Sequence, residues 1–253
     1  MKYFSTLAPM GVFSLNEAVK LIGNEENTKK YLSRLIKIGQ IRRIKKNLYS
    51  IIDPIIKDDS MSRFVIASHI TNDAFISLHS AFEFYGFYNQ SYYDVQVMSS
   101  KRFTEFEYND YRYRCFISNN NNQIDYIQGV KVTSIERTIV DSINLLGKSM
   151  DVEELIKCIS LVQHINEDKI KVMLNYYDKD LLYRKVGYIL SYFKNDLNIT
   201  DDFFNYCKEK SNVLNYGYLS YSEIKKLKFI KEWGLYGYEY LGSLIDKGGG
   251  LDV

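Results

Sequence analysis

The sequence predicts an α+β protein: an N-terminal winged helix-turn-helix followed by a mixed α/β body with a helical C-terminal part. Three observations carry this. Two amphipathic helical stretches lie within the first 40 residues, two β-prone runs flank a basic turn just after them, and short apolar strands precede a series of helical periodicities.

A short first helix is expected between Lys2 and Met10. Ser14 with Glu17 three residues later is a capping box. Leu15, Ala18, Val19 and Ile22 then recur at i, i+3, i+4 and i+7, and Gly23 closes the helix. The next helix spans about Glu25 to Ile38, with Leu32, Leu35 and Ile36 as its apolar stripe and Gly39 at its end. Gln40–Ile44 and Leu48–Ile52 read as a hairpin around Lys45-Lys46-Asn47, with Asn47 best able to take positive φ. Residues 1–55 are therefore expected to form a winged helix-turn-helix DNA-binding domain, with Asp53-Pro54 and Lys57-Asp58-Asp59 as its exit. The body runs from about 60 to 253. Helices near Met61–Ile70 and Ser77–Tyr85, then strands at Asp94–Met98, Tyr111–Ser118 and Val130–Thr133 with a loop at Asn119–Gln123, make an α/β part of about 60–146. The part of about 147–253 is expected to be mostly helical. From Ser134 on, the helical patterns are Glu136–Leu146, Val152–Val162, Asp168–Tyr177, Leu181–Phe193 and Asp201–Lys210.

Composition supports a packed core: 253 residues, 46% hydrophobic, with 2 prolines, exclude a disordered or collagen-like chain. Cys115, Cys158 and Cys207 have no metal-type spacing and are odd in number, so they read as reduced thiols in a cytoplasm. The opening MKYFSTLAPMGVFSL lacks the apolar core of a signal peptide, and no run of roughly 18 apolar residues exists to span a membrane. A cytoplasmic protein without a membrane partner is expected.

Net charge is +2, but it is unevenly placed. From Asn27 to Ile52 there are eight cations and no carboxylate, which leaves 25 basic against 31 acidic residues elsewhere. A basic segment on an acidic body points to an anionic partner at the N-terminal end. With Leu32 turned inward, Lys30, Ser33, Arg34 and Lys37 share the opposite face of the second long helix, with Lys29 at its flank. The hairpin adds Arg42, Arg43, Lys45 and Lys46. Lys29, Lys30, Ser33, Arg34, Lys37, Arg42, Arg43, Lys45 and Lys46 are thus the expected DNA-binding residues. Their competing reading is a solvated helix face.

Enzymatic readings are weaker. His69, His79 and His164 stand in no metal-ligand spacing and read as surface or satisfied core histidines. Ser77 and Ser80 flank His79 without a GxSxG elbow. Asp94 with Lys101, Glu105 and Glu107 loosely evokes a metal-dependent nuclease, delivered to nucleic acid by the winged helix, and this is the alternative function. Gly242-Ser243 with Asp246 and Asp252 hints at a nucleotidyltransferase, but the sequence ends at Val253 before a paired Asp-x-Asp could be completed, and Lys247 with Gly248–Gly250 reads as a frayed tail. Arg137 and Asp141, four apart, are expected to form a helical ion pair contributing a few tenths of a kcal/mol. The 23 Tyr and 14 Phe suit a core or an interface. No catalysis, cofactor or metal is expected.

Three stretches, YLSRLIKIGQIRRIKKNLYSI from Tyr31, FISLHSAFEFYGF at Phe75–Phe87 and VTSIERTIVDSI at Val132–Ile143, resemble the AbiEi family. That family is the antitoxin and repressor half of a type IV toxin-antitoxin system of phage abortive infection. The resemblance covers about the first 145 residues. Asn47 stands where the family usually has a wing glycine, and Tyr85 where it often has histidine. The resemblance implies a transcriptional autorepressor that binds double-stranded DNA at inverted repeats in its own promoter, two copies on DNA and possible as a monomer in solution. It also implies that the C-terminal domain opposes a nucleotidyltransferase toxin without a stable complex.

Overall fold

Side chains that satisfy free backbone amides set the first helices. In the computed structural model, which describes residues 3–55, 57–58, 61–211, 216–221 and 224–245, Ser14 Oγ accepts from the Glu17 N–H at 3.2 Å. The Ser14 N–H donates back to Glu17 Oε2 at 2.7 Å. This capping box opens a helix over Leu15–Ile22, which ends at Gly23 with φ +94°, a conformation glycine adopts without penalty.

The chain divides into two compact units, Met1–Ile76 with Tyr93–Val132 and Ser77–Tyr92 with Thr133–Val253, and passes between them three times. Residues 1–55 share the first unit with 61–76 and 93–132, so compactness divides the chain elsewhere than at the exit near residues 55–60.

The first unit begins with α1 (Phe4–Leu7), which continues as a 3₁₀ turn over Ala8–Met10, β1 (Val12–Ser14), α2 (Leu15–Ile22) and α3 (Glu25–Lys37). Lys2 lies outside the described residues, so the helix read over Lys2–Met10 is seen as α1 and the turn. Asn24 caps α3 by accepting from the Asn27 N–H at 3.0 Å. Next come β2 (Ile41–Lys45) and β3 (Leu48–Ile51), joined at Asn47 with φ +65°. The hairpin takes on β1 as a third strand, which the sequence reading did not contain, in the order β1-β3-β2. Leu7, Phe13, Leu15, Ala18, Leu32, Leu35, Ile41 and Tyr49 pack beneath it. Each buried Leu, Ile or Phe contributes roughly 1.5–3 kcal/mol. One stripe residue needs correction: Ile36 is 39% exposed, and Thr28 takes the inward position with Leu32 and Leu35.

The unit is completed by α4 (Arg63–Ser68), β4 (Phe75–Ile76), β5 (Asp94–Ser99), β6 (Phe106–Tyr108), β7 (Tyr111–Ile117), β8 (Ile124–Ile127) and β9 (Val130–Thr133). They form a six-stranded mixed sheet in the order β6-β7-β5-β4-β9-β8. β5 and β7 run parallel with Val97 opposite Cys115, and β6 is antiparallel to β7 with Phe106 opposite Tyr113.

The second unit holds α5 (Leu78–Tyr85), α6 (Ile135–Asn144), α7 (Val152–Ser160), α8 (Glu167–Tyr177), α9 (Asp180–Tyr192) and α10 (Asp201–Glu209) around one apolar core. On α9, a Cβ added at Gly187 would lie 2.2 Å from the Trp233 ring, so glycine is needed for that close approach. The helical patterns read from the sequence end at Lys210, and after α10 the chain turns to strands that the sequence reading did not contain. Among the described residues β10 (Gly217–Tyr218), β11 (Lys228–Ile230) and β12 (Leu235–Gly237) form a sheet in the order β10-β12-β11. The cause is aromatic pairing across strands: Tyr218 stacks on Tyr236 at 4.9 Å between ring centroids, and Phe229 approaches the same ring at 5.4 Å. The molecule is thus α+β, with a C-terminal part that is not wholly helical.

Lys185 on α9 is half-buried, and desolvation pulls its ammonium down to about 8. Its folded value lies below the unfolded one, so the fold bears a charging penalty below pH 8 that disappears as pH rises past the ordinary lysine value. Lys185→Met is expected to raise stability by about 1–3 kcal/mol at pH 7, with the gain vanishing near pH 10. Urea midpoints at the two pH values check this.

Candidate nucleic-acid interface

The sequence of α3 builds one polar face opposite one apolar face. Thr28, Leu32 and Leu35 are buried, whereas Lys29, Lys30, Ser33, Arg34 and Lys37 are exposed, and with Glu26 the last four and Lys29 line a shallow depression of about 460 Å³. Glu25 and Glu26 in the first turn and Arg34 and Lys37 in the last complement the helix dipole.

Two carboxylates just outside the acid-free segment moderate this face. Lys29 Nζ meets Glu25 Oε1 at 2.5 Å and Lys30 Nζ meets Glu26 Oε1 at 2.7 Å. Exposed i,i+4 pairs of this kind hold by about 0.3–0.5 kcal/mol, so a phosphate can displace either carboxylate. Among the described residues Arg34 and Lys37 form no ion pair, which leaves them as the strongest free donors on the face.

The hairpin cations divide. Arg42 is half-buried, with Nη1 2.5 Å from Asp58 Oδ1. Arg43 is exposed and its Nε donates to the Lys45 carbonyl at 3.2 Å. Lys46 is exposed at the turn. Lys45 turns instead toward its own unit, its Nζ 5.0 Å from the centroid of Phe103 and 4.6 Å from that of Phe106, and desolvation lowers its ammonium. Of the nine cationic and hydroxyl residues read from the sequence, α3 assembles five on one surface, and Lys45 is held apart from them by packing. Lys45→Ala is therefore expected to lower the melting temperature, since removing the ammonium from the two rings costs about 1 kcal/mol. Lys46→Ala, at an exposed position of the turn, should leave melting unchanged.

Sequence reading set Lys101 with Asp94, Glu105 and Glu107 and did not place it beside the hairpin. It lines a cleft of about 590 Å³ with Lys46 and Asn47 of the hairpin and with His69, Thr71, Asp73 and Ser100. Asp73 ties this loop together, accepting from Thr71 Oγ1, Ser99 Oγ and the Ser100 N–H. Although partial burial opposes it, these hydrogen bonds hold its carboxyl well below the usual carboxylate range. No local pattern in the sequence places Lys101 there, because the hairpin residues it joins lie more than 50 positions away.

The residues that evoked enzymes are engaged otherwise. Asp94 pairs with Arg114 at 2.9 Å and Glu105 with Arg112 at 2.8 Å. His69 Nδ1 contacts the Val65 carbonyl at 2.8 Å, and His164 is exposed. Gly242-Ser243 lies in a 3₁₀ turn, while Asp246, Lys247, Gly248–Gly250 and Asp252 fall outside the described residues. The three cysteines are free and buried. Arg137 and Asp141 form the expected ion pair on α6 at 3.2 Å, but both are fully buried, so its weight exceeds the expected few tenths of a kcal/mol. Among the described residues no helix is long and apolar enough to cross a membrane.

No protein-family model and no curated protein matches this chain. Among solved structures, the crystal structure of the RV2827C protein from Mycobacterium tuberculosis is similar, with a TM-score of 0.63 over 94% of this chain and 90% of that one, at 12% sequence identity. At that identity the likeness is one of fold.

Proposed function

We propose that this chain is a DNA-binding transcriptional autorepressor and the antitoxin of a type IV toxin-antitoxin system, opposing a nucleotidyltransferase toxin in phage abortive infection. Residues 1–55 act as a winged helix-turn-helix, with α3 as the recognition helix and the β2–β3 hairpin as the wing. The single observation that carries the DNA-binding reading is the exposed Lys30/Ser33/Arg34/Lys37 face opposite the buried Leu32 and Leu35. Such a face can place an Arg fork against a guanine edge while its lysines hold phosphates. The antitoxin half is supported by the resemblance of Phe75–Phe87 and Val132–Ile143 to the AbiEi family. In this reading the protein works in the cytoplasm, with no catalysis of its own and no cofactor in DNA binding, as two copies on an inverted repeat.

Gel shifts on the protein's own promoter and on a scrambled duplex test it. Arg34→Ala is expected to lose about 1–3 kcal/mol of promoter affinity and part of its discrimination against the scrambled duplex. Unchanged promoter binding by this variant would remove α3 from the role of recognition helix.

A further inference from the structure

Within the second unit, His79 meets two residues that stand one helical turn apart on α7, at one buried point. His79 Nε2 lies 3.0 Å from Glu154 Oε1, across 75 positions, and Cys158 Sγ lies 3.5 Å from the same oxygen. All three residues are buried, and their donor atoms fall within 4.8 Å of one another. We propose that His79 Nε2, Glu154 Oε1 and Cys158 Sγ form a binding site for a thiophilic divalent cation of the zinc class.

The spacing and chemistry favour a metal over a purely hydrogen-bonded cluster. Bonds of ~2.0–2.3 Å in a tetrahedral site separate adjacent ligands by roughly 3.3–3.6 Å, near both separations seen here. A mixed N, O and S donor set selects zinc-like ions over magnesium or calcium. Glu154 Oε1 is also approached by the Asn89 N–H at 3.3 Å and the Gln90 N–H at 3.4 Å, while Oε2 accepts from Asn89 Nδ2 at 3.3 Å. One carboxylate oxygen has about two lone pairs, so four donors cannot all be served by it. If one backbone amide keeps its bond, the other lone pair is open to a cation that His79 Nε2 and Cys158 Sγ also reach.

The surroundings resemble the outer layer of a metal site. Glu83 Oε2 faces the other imidazole nitrogen, Nδ1, at 3.7 Å, and a negative charge on that side favours a proton at Nδ1 and the lone pair at Nε2. Tyr92 stacks on the imidazole at 3.6 Å between centroids and fixes the ring plane. Leu78, immediately before His79, has φ +59°, a strained value for a bulky residue, of the kind that persists where surroundings demand it. A depression of about 370 Å³ lined by Asn89, Lys157 and Ser160 offers an approach past Asn89. On binding, the Cys158 thiol gives up its proton to solvent and the thiolate takes the metal, so the charge of the ion is met by one thiolate and one carboxylate.

The probe is cobalt(II), titrated into chelator-treated full-length protein and read by thiolate-to-cobalt charge-transfer absorption, with zinc as competitor. The band is expected to saturate near one equivalent and to disappear on adding zinc. It should be absent in Cys158→Ser, retained in a Cys115→Ser/Cys207→Ser double variant, and shifted to about 10–100-fold weaker affinity in Glu83→Gln. Absence of the band in wild-type protein, its loss in the double variant, or its persistence in Cys158→Ser overturns the proposal. The wild-type and double-variant arms decide the matter even where Cys158→Ser does not fold.

Discussion

Replacing Arg137 by Ala is expected to destabilise the protein by about 3–5 kcal/mol, because it leaves a carboxylate buried without its counter-charge. Arg137 Nε donates to Asp141 Oδ2 at 3.2 Å inside the second unit, and Asp141 also accepts from Tyr177 at 2.6 Å and Ser77 at 3.4 Å. Burial pushes the Asp141 carboxyl up even with these donors in place. In the variant the folded-state value rises further above the unfolded one, so the folded variant loses stability as pH climbs and recovers part of it as pH falls and the carboxyl takes a proton. The deficit should therefore be larger at pH 7 than at pH 5. Replacing both partners with Arg137→Met and Asp141→Asn should recover part of the loss. Urea unfolding of the three proteins at both pH values measures this, and a deficit under about 1 kcal/mol at pH 7 would show that the ion pair on α6 does not hold the fold together.

The second large effect concerns function. A Lys30→Ala/Arg34→Ala/Lys37→Ala variant removes three cations of the exposed α3 face while leaving Thr28, Leu32 and Leu35 in the core. Arg34 would no longer reach a base edge and the two lysines would no longer hold phosphates, so promoter affinity is expected to fall roughly 100- to 1,000-fold, and the slope of log affinity against log salt to flatten by about two. Promoter repression in cells should disappear. Growth rescue of cells expressing the cognate toxin should persist, since in the proposed reading that action resides in the body. A folded and abundant variant that binds DNA normally refutes the interface, and one that fails to rescue refutes the separation of the two activities.

Much of the N-terminal segment was legible because its determinants are local. The Ser14/Glu17 box, the Gly23 stop, the Asn47 turn and the ends of α3 depend on neighbours within four residues, and each is found in the structure. The strands β1, β4, β6 and β8 were not legible, since two to four residues carry little periodicity and become strands through partners far along the chain. The aromatic segment after residue 216 belongs with them. At the α3 face, residue identity and helical period sufficed to bring Lys30, Ser33, Arg34 and Lys37 together. Neither could show that Lys45 folds back over Phe103 and Phe106, or that Asp58 takes Arg42. The burial of Arg137 was hidden for a related reason: its spacing to Asp141 is that of a surface pair, and the packing that encloses α6 is entirely non-local.

The three passages of the chain between its units, after Ile76, Tyr92 and Val132, have a consequence for anyone who cuts it. A protease that nicks any one of these junctions leaves at least one unit built from both fragments, so a single cleavage gives two bands on a denaturing gel and one particle on a sizing column. Deletion is less forgiving. A truncation starting at residue 133 discards α5 and with it His79 and Glu83, and one starting near residue 60 removes α3 and the sheet β1-β3-β2 from a unit that includes them. Dissection of this protein is thus better done with point substitutions than with shortened chains.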